Sequence, residues 1–113
     1  MTLQSVLDRI EEAKVEMVNS LIELCKIPAI HPDSGGDGES KKAEFLVRLI
    51  QGLGLPLRSV NAPDERVSSG VRPNLLVEVD GEQKRKIWII SHMDVVPEGD
   101  LKCWDTDPYD PVV

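Results

Sequence analysis

His92 and Asp94, separated by one residue, are the side chains in this sequence whose types and spacing best suit chemistry. They follow the apolar run 87–90, which is typical of a strand buried on both faces. Alternate side chains of an extended chain share a side, so the two are predicted to point the same way. A carboxylate there can accept the proton of one imidazole nitrogen and leave the other nitrogen free for a metal. The pair therefore predicts a metal ligand and the carboxylate that orients it, although a solvated strand-end pair would also fit this spacing.

Other side chains were weighed as metal ligands. His31, the only other histidine, precedes a proline in a glycine-rich loop, and a solvated loop histidine is the simpler interpretation. Cys103 could join His92 on zinc, because thiolate and imidazole are its usual ligands, but this is the weaker hypothesis. Acidic residues also follow the pair, namely Glu98, Asp100, Asp105, Asp107 and Asp110. Their intervals match no defined metal site, so a solvated acidic loop is favoured for this stretch.

The residues around the pair carry a family resemblance. Val95-Val96-Pro97 follows Asp94 directly, and Trp104 and the step Asp107-Pro108-Tyr109 come later. This order, after an apolar strand, resembles the amidohydrolase-peptidase family of acetylornithine deacetylase, succinyl-diaminopimelate desuccinylase, aminoacylase-1 and the carboxypeptidase G enzymes. The segment Leu24-Cys25-Lys26-Ile27-Pro28 and the segment Arg72-Pro73-Asn74-Leu75-Leu76 also resemble that family. The resemblance covers essentially the whole chain, and its final part is the most specific.

The resemblance implies zinc-dependent hydrolysis of an amide bond in an N-acyl amino acid or a small peptide. Dipeptidase or carboxypeptidase activity is the alternative within that class. His92 would bind one ion of a two-zinc site, for which cobalt could substitute, and Asp94 would orient His92. A small non-catalytic binding or structural module, in which the pair is incidental, is the alternative from another class.

The family's remaining metal ligands and its general-base glutamate follow later in the family's chains. We therefore expect residues 1–113 to be the N-terminal fragment of a catalytic domain, with the rest of that domain and an inserted lid domain absent. We expect this fragment alone to be inactive.

Composition narrows the class of protein. A formal net charge of −7 and a pI near 4.7 argue against nucleic acid as a partner, which needs clustered basic surface. No apolar run approaches the roughly 18 residues of a membrane span, and the N-terminus lacks the pattern of a secretory signal. The two cysteines, Cys25 and Cys103, then favour reduced thiols. A cytoplasmic enzyme with a small-molecule substrate and no membrane partner is predicted.

Hydrophobic periodicity predicts helices and strands, and the resemblance implies an α/β catalytic domain in which two helices pack on a mixed sheet. The helices are expected from about Thr2 to Lys26, with Thr2 as the N-cap and Cys25 in the core, and from about Glu39 to Gly52. Strands are expected at 57–60, 74–79 and 87–91, with 61–70 a loop and the last two strands antiparallel across Asp80-Gly81. Strand 87–91 would have an unpaired edge, so we expect self-association, most simply as a homodimer.

Overall fold

The computed structural model describes residues 1–113 and contains three α-helices and one two-stranded antiparallel sheet. The predicted α/β class is therefore confirmed. The chain divides into two compact units. One consists of Met1–Ile27 together with Gly99–Val113, and the other is Pro28–Glu98.

The first unit is built on two successive helices, α1 (Leu3–Glu12) and α2 (Lys14–Cys25). Thr2 caps α1 in a reciprocal arrangement with Ser5, in which each side chain accepts a hydrogen bond from the other residue's backbone N–H. Ala13 separates the helices, but backbone hydrogen bonds continue across it. The helix predicted from about Thr2 to Lys26 is thus right in extent and N-cap and wrong in being undivided.

The apolar stripe of these helices is largely exposed in this unit. More than a third of each of these side chains is accessible: Leu3, Val6, Leu7, Ile10, Val15, Met17 and Leu21. Within its own unit the stripe has only irregular chain and the 3₁₀ helix Leu101–Cys103 available as packing partners. Cys25 is exposed as well, so its predicted place in a core is wrong.

The second unit is a helix packed on a β-hairpin. Helix α3 (Ser40–Gly52) lies within one residue of its predicted bounds and contacts both strands, β1 (Leu57–Pro63) and β2 (Val71–Val77). The strands pair antiparallel from Leu57 opposite Val77 to Pro63 opposite Val71. The ladder runs further than predicted, because the hairpin closes inside the expected loop, at a hydrogen bond of 3.0 Å from Asp64 N–H to Gly70 O.

Residues 87–91 form no strand, which corrects the prediction that they pair with the strand before them. Strand β2 pairs with β1 instead, and the sheet is purely antiparallel rather than mixed. The side chains of Ile87, Trp88, Ile89 and Ile90 are 91%, 74%, 92% and 88% exposed. Strands that are apolar on both faces belong to sheets covered on both sides, and here the segment has neither a neighbouring strand to pair with nor such cover.

The buried apolar core is small, consisting of Ala29, Ala43 and Val67, and no large side chain is fully buried. All three core residues belong to the second unit, where α3 and the loops around it meet. None of the helices combines the length and apolar content that crossing a membrane requires.

Candidate functional site around His92 and Asp94

The imidazole of His92 contacts Asp94 through its Nδ1 atom. Its Nδ1 lies 2.8 Å from the backbone O of Asp94 and 3.2 Å from the carboxylate Oδ1 of the same residue. A backbone carbonyl oxygen can only accept, so Nδ1 carries the proton, and in the neutral ring Nε2 is the nitrogen with the lone pair. The His92 side chain is 82% exposed, which leaves Nε2 accessible. The local geometry thus leaves Nε2 as the ring nitrogen that is open to solvent.

The backbone beside the pair is held by a short parallel bridge between Ile30 and Val95. The N–H of Val95 donates to the O of Ala29 at 2.9 Å, and the N–H of His31 donates to the O of Val95 at 3.4 Å. This bridge fixes the chain just after Asp94 although residues 87–91 before it lie in no strand. The position of the pair therefore depends on the segment that follows α2.

A largely buried ion pair, Arg72 with Glu39, lies next to Asp94. The Arg72 guanidinium donates from Nε to both carboxylate oxygens of Glu39 at 3.0 Å and from Nη2 to Oε1 at 2.7 Å. The two side chains are only 19% and 10% exposed. Hydrogen bonding to Glu39 raises the pKa of Arg72, so its charge is retained. Nη2 of Arg72 also lies 3.9 Å from Oδ2 of Asp94, which places a fixed positive charge beside that carboxylate.

His31 is occupied by the same arginine. Its Nε2 lies 2.7 Å from Nη1 of Arg72, and a guanidinium has only donors, so Nε2 is the acceptor in any hydrogen bond between them. Its Nδ1 lies 3.1 Å from the backbone N–H of Asp33, which is also a donor, and a neutral imidazole has one acceptor nitrogen, so the two hydrogen bonds form only one at a time. The side chain is 30% exposed, so the interpretation as a solvated loop histidine is wrong. The Arg72 guanidinium lies 2.7 Å from Nε2 in either case, so that atom is not open to a metal.

The glycine-rich loop keeps His31 in this place by a close backbone approach. A Cβ on Gly36 would lie 2.0 Å from the O of Ile30, so only glycine fits there. Gly35 has a φ of +81°, which completes the tight turn. Composition predicted a loop here, and the structure adds that it wraps tightly on the residue before His31.

The other candidates form no metal site. Nowhere do three or more His, Cys, Asp or Glu side chains come together as a metal site would require. Asp100 and Asp107 instead accept backbone N–H groups two residues ahead, at 3.0 and 2.8 Å, as turn-forming aspartates do. Cys103 is exposed. The donors present fit one imidazole ligand and its orienting carboxylate, but not the four ligands of a complete zinc site.

Arg72 and Glu39 were not singled out from the sequence as residues that support the pair. They lie 33 residues apart, a distance at which no local pattern links them. The pairing shows only in the folded chain. Glu39 stands at the N-cap of α3 and makes no capping hydrogen bond, because its carboxylate is bound to Arg72.

Comparison with known proteins gives three relatives. An uncharacterized metallohydrolase of Methanocaldococcus jannaschii is 36% identical over 95% of this chain and 26% of the relative. The chain is similar to metallohydrolases. A second uncharacterized metallohydrolase, from Methanococcus maripaludis, is 30% identical over 95% of this chain and 25% of the relative. A protein of Staphylococcus haemolyticus, provisionally named as a dipeptidase, is 25% identical over 94% of this chain and 21% of the relative.

The chain thus spans about a quarter of the length of the curated metallohydrolases it matches. No family model matches it, and no solved structure matches it. The similarity supports a relationship to metallohydrolases.

Proposed function

We propose that the protein containing this chain is a zinc-dependent amidohydrolase that cleaves the amide bond of a small cytoplasmic N-acyl amino acid. In this proposal His92 binds one ion of a two-ion site, for which cobalt can substitute, and Asp94 orients His92. The remaining ligands and the general base come from outside residues 1–113, so this chain alone is inactive.

One observation carries the proposal. His92 Nδ1 faces the backbone O and the carboxylate of Asp94, which makes Nε2 the lone-pair nitrogen of the neutral ring, and 82% of the side chain is accessible. The similarity to proteins named metallohydrolases supports the same assignment.

The two residues have distinct chemical tasks. The Nε2 lone pair of His92 is the donor to the metal, and Asp94, by accepting the Nδ1 proton, raises the basicity of the ring and prevents its rotation. A zinc ion held there supplies Lewis-acid polarisation of the scissile carbonyl. Asp94 takes no part in bond cleavage in this scheme.

Peptidase activity is the second candidate. It is favoured by one specific observation, the provisional name of the Staphylococcus haemolyticus relative as a dipeptidase. Both candidates need the same metal ligand, His92. They differ in the acyl group of the amide that is cleaved: a simple carboxylic acid in an N-acyl amino acid, and an amino acid in a dipeptide.

The test uses the intact protein, freed of metal by a chelator and reloaded with zinc or cobalt. Release of free amino groups is followed with N-acetyl amino acids, N-succinyl amino acids and dipeptides. We expect activity with an N-acyl amino acid, and near-complete loss of activity together with one bound ion in His92→Ala. The exposed Lys84→Ala serves as the control and should retain both.

Faster cleavage of dipeptides would establish the second candidate instead. A His92→Ala protein that keeps its full metal content and its rate would refute the assignment of His92.

A further inference from the structure

We propose that Arg72 is a positioning residue for the His92–Asp94 pair. In this role the Arg72 guanidinium is a fixed cation next to the Asp94 carboxylate, and Asp94 in turn contacts the imidazole of His92. The inference rests on the proposed role of His92 as a ligand, and its test below is independent of hydrolysis.

The first step is that Arg72 cannot move freely. Its Nε and Nη2 are tied to Glu39 by three contacts of 2.7–3.0 Å, and its Nη1 lies 2.7 Å from Nε2 of His31. Arg72 belongs to β2, Glu39 stands at the start of α3, and His31 lies in the loop after α2. The guanidinium is therefore held from three places in the second unit, and its side chain is only 19% exposed.

The second step is that Arg72 is paired with the Asp94 carboxylate oxygen that does not face His92. Nη2 of Arg72 is 3.9 Å from Oδ2, whereas Nδ1 of His92 is 3.2 Å from Oδ1. Each carboxylate oxygen thus faces a different partner. At 3.9 Å the contact is an ion pair rather than a hydrogen bond, so it acts through charge and direction.

The third step is the consequence for the imidazole. A carboxylate turned by the Arg72 charge keeps Oδ1 toward Nδ1, which favours the tautomer with Nε2 unprotonated. The competing explanation is that the backbone O of Asp94, 2.8 Å from Nδ1, fixes the tautomer alone. The two explanations differ in whether removal of the Arg72 charge changes the ratio of the His92 tautomers.

The structure offers a matched control in Arg66. This arginine also pairs with two carboxylates of the second unit, those of Asp64 and Asp33, and makes no ion pair with Asp94. Replacing Arg66 removes a charge of the same sign from the same unit, and its link to Arg72 is indirect, through Asp33 and His31.

The experiment is two-dimensional ¹H–¹⁵N NMR of the histidine rings in the metal-free protein at about pH 8, where a histidine is mostly neutral. The His92 signals are assigned from their loss in His92→Gln. Arg72→Gln removes the charge, and Arg72→Lys keeps a charge that can pair with Glu39 but lacks the planar fork. Arg66→Gln and Arg66→Lys are the controls.

We expect the wild-type His92 to be mainly the Nδ1–H tautomer. The ratio of Nδ1–H to Nε2–H should fall roughly 1.5- to 5-fold in both Arg72 variants, as suits a partly exposed ion pair. The Arg66 variants should keep the wild-type ratio.

Three results would overturn the inference. One is an unchanged ratio in Arg72 variants whose amide spectra show a folded second unit, which would leave the backbone O in control. Another is an equal shift in the Arg66 variants. The last is loss of that unit's amide spectrum in both Arg72 variants, which would make Arg72 purely structural. A tautomer shift in a protein that hydrolyses no amide would count against the proposed function alone.

Discussion

The carboxylate of Asp64 accepts three hydrogen bonds from Arg66. They come from the backbone N–H at 3.1 Å and from Nε at 2.8 Å, both to Oδ1, and from Nη2 to Oδ2 at 2.7 Å. The Arg66 side chain bonds, followed by the backbone bond, lower the pKa of Asp64 from 3.8 to about 2. This cluster closes the turn that joins β1 to β2.

A stability prediction follows from that shift. A carboxyl whose folded-state pKa is depressed stabilises the fold above its unfolded value of 3.8, and this contribution is lost as the pH falls through about 2. Between about pH 5 and about pH 2 the thermal midpoint of the second unit should fall less in Asp64→Asn than in the wild type. Circular dichroism melts measure it. The exposed Asp80→Asn should behave like the wild type, and an Asp64→Asn slope equal to the wild-type slope would contradict the linkage.

The second prediction concerns metal affinity. Residues 1–113 should bind zinc weakly or not at all, because one imidazole with its orienting carboxylate cannot fill four coordination positions. Isothermal titration with zinc at neutral pH measures this. Submicromolar binding that disappears in His92→Ala would show that residues near the pair complete a site that the structure does not assemble.

The third prediction concerns Asp94 in the intact protein. Asp94→Asn keeps the size of the side chain, so the fold should persist. The change removes the negative charge that is proposed to orient His92. Metal affinity or activity should drop roughly 10–100-fold, the range usual for residues that orient a ligand. Rates are measured at limiting and at saturating zinc. Indistinguishable curves for the variant and the parent at both concentrations would end the role proposed for Asp94.

The fourth prediction concerns association of the chain. Residues 87–90 expose four large apolar side chains in succession, and contiguous apolar patches of this kind associate in water. We expect a homodimer or other self-association through this segment. Light scattering over about a hundredfold dilution measures it. Ile89→Lys should weaken association, whereas Val79→Lys, the same change at an exposed apolar residue that stands between Glu78 and Asp80, should not. A strict monomer at every concentration would refute the prediction.

Local signals in the sequence were enough for several elements. The 3.6-residue spacing of apolar residues and the following glycines located α3, and Thr2 was recognised as a cap because capping depends on the next three residues. Two strands were found in the right regions, but the length of their ladder was not, because the closing hydrogen bonds join residues across the turn.

The strand predicted at 87–91 shows what side-chain patterns cannot predict, namely the partner with which a strand pairs. Its composition is that of a buried strand, yet a strand exists only through hydrogen bonds to a neighbour, and no neighbour is present in this structure. The pattern of side chains identifies a segment that can become a strand but does not supply the partner that makes it one.

The sequence by itself determined the pairing of His92 with Asp94, because residues two apart in an extended segment face the same side and need no other part of the fold. Only the tertiary structure decided that Arg72 stands behind Asp94 with Glu39 and His31 around it. Those contacts join residues 33 and 41 positions apart, and they form only when α3, β2 and the loop after α2 have packed together. Burial then makes them specific, because a charge removed from water must find its partner.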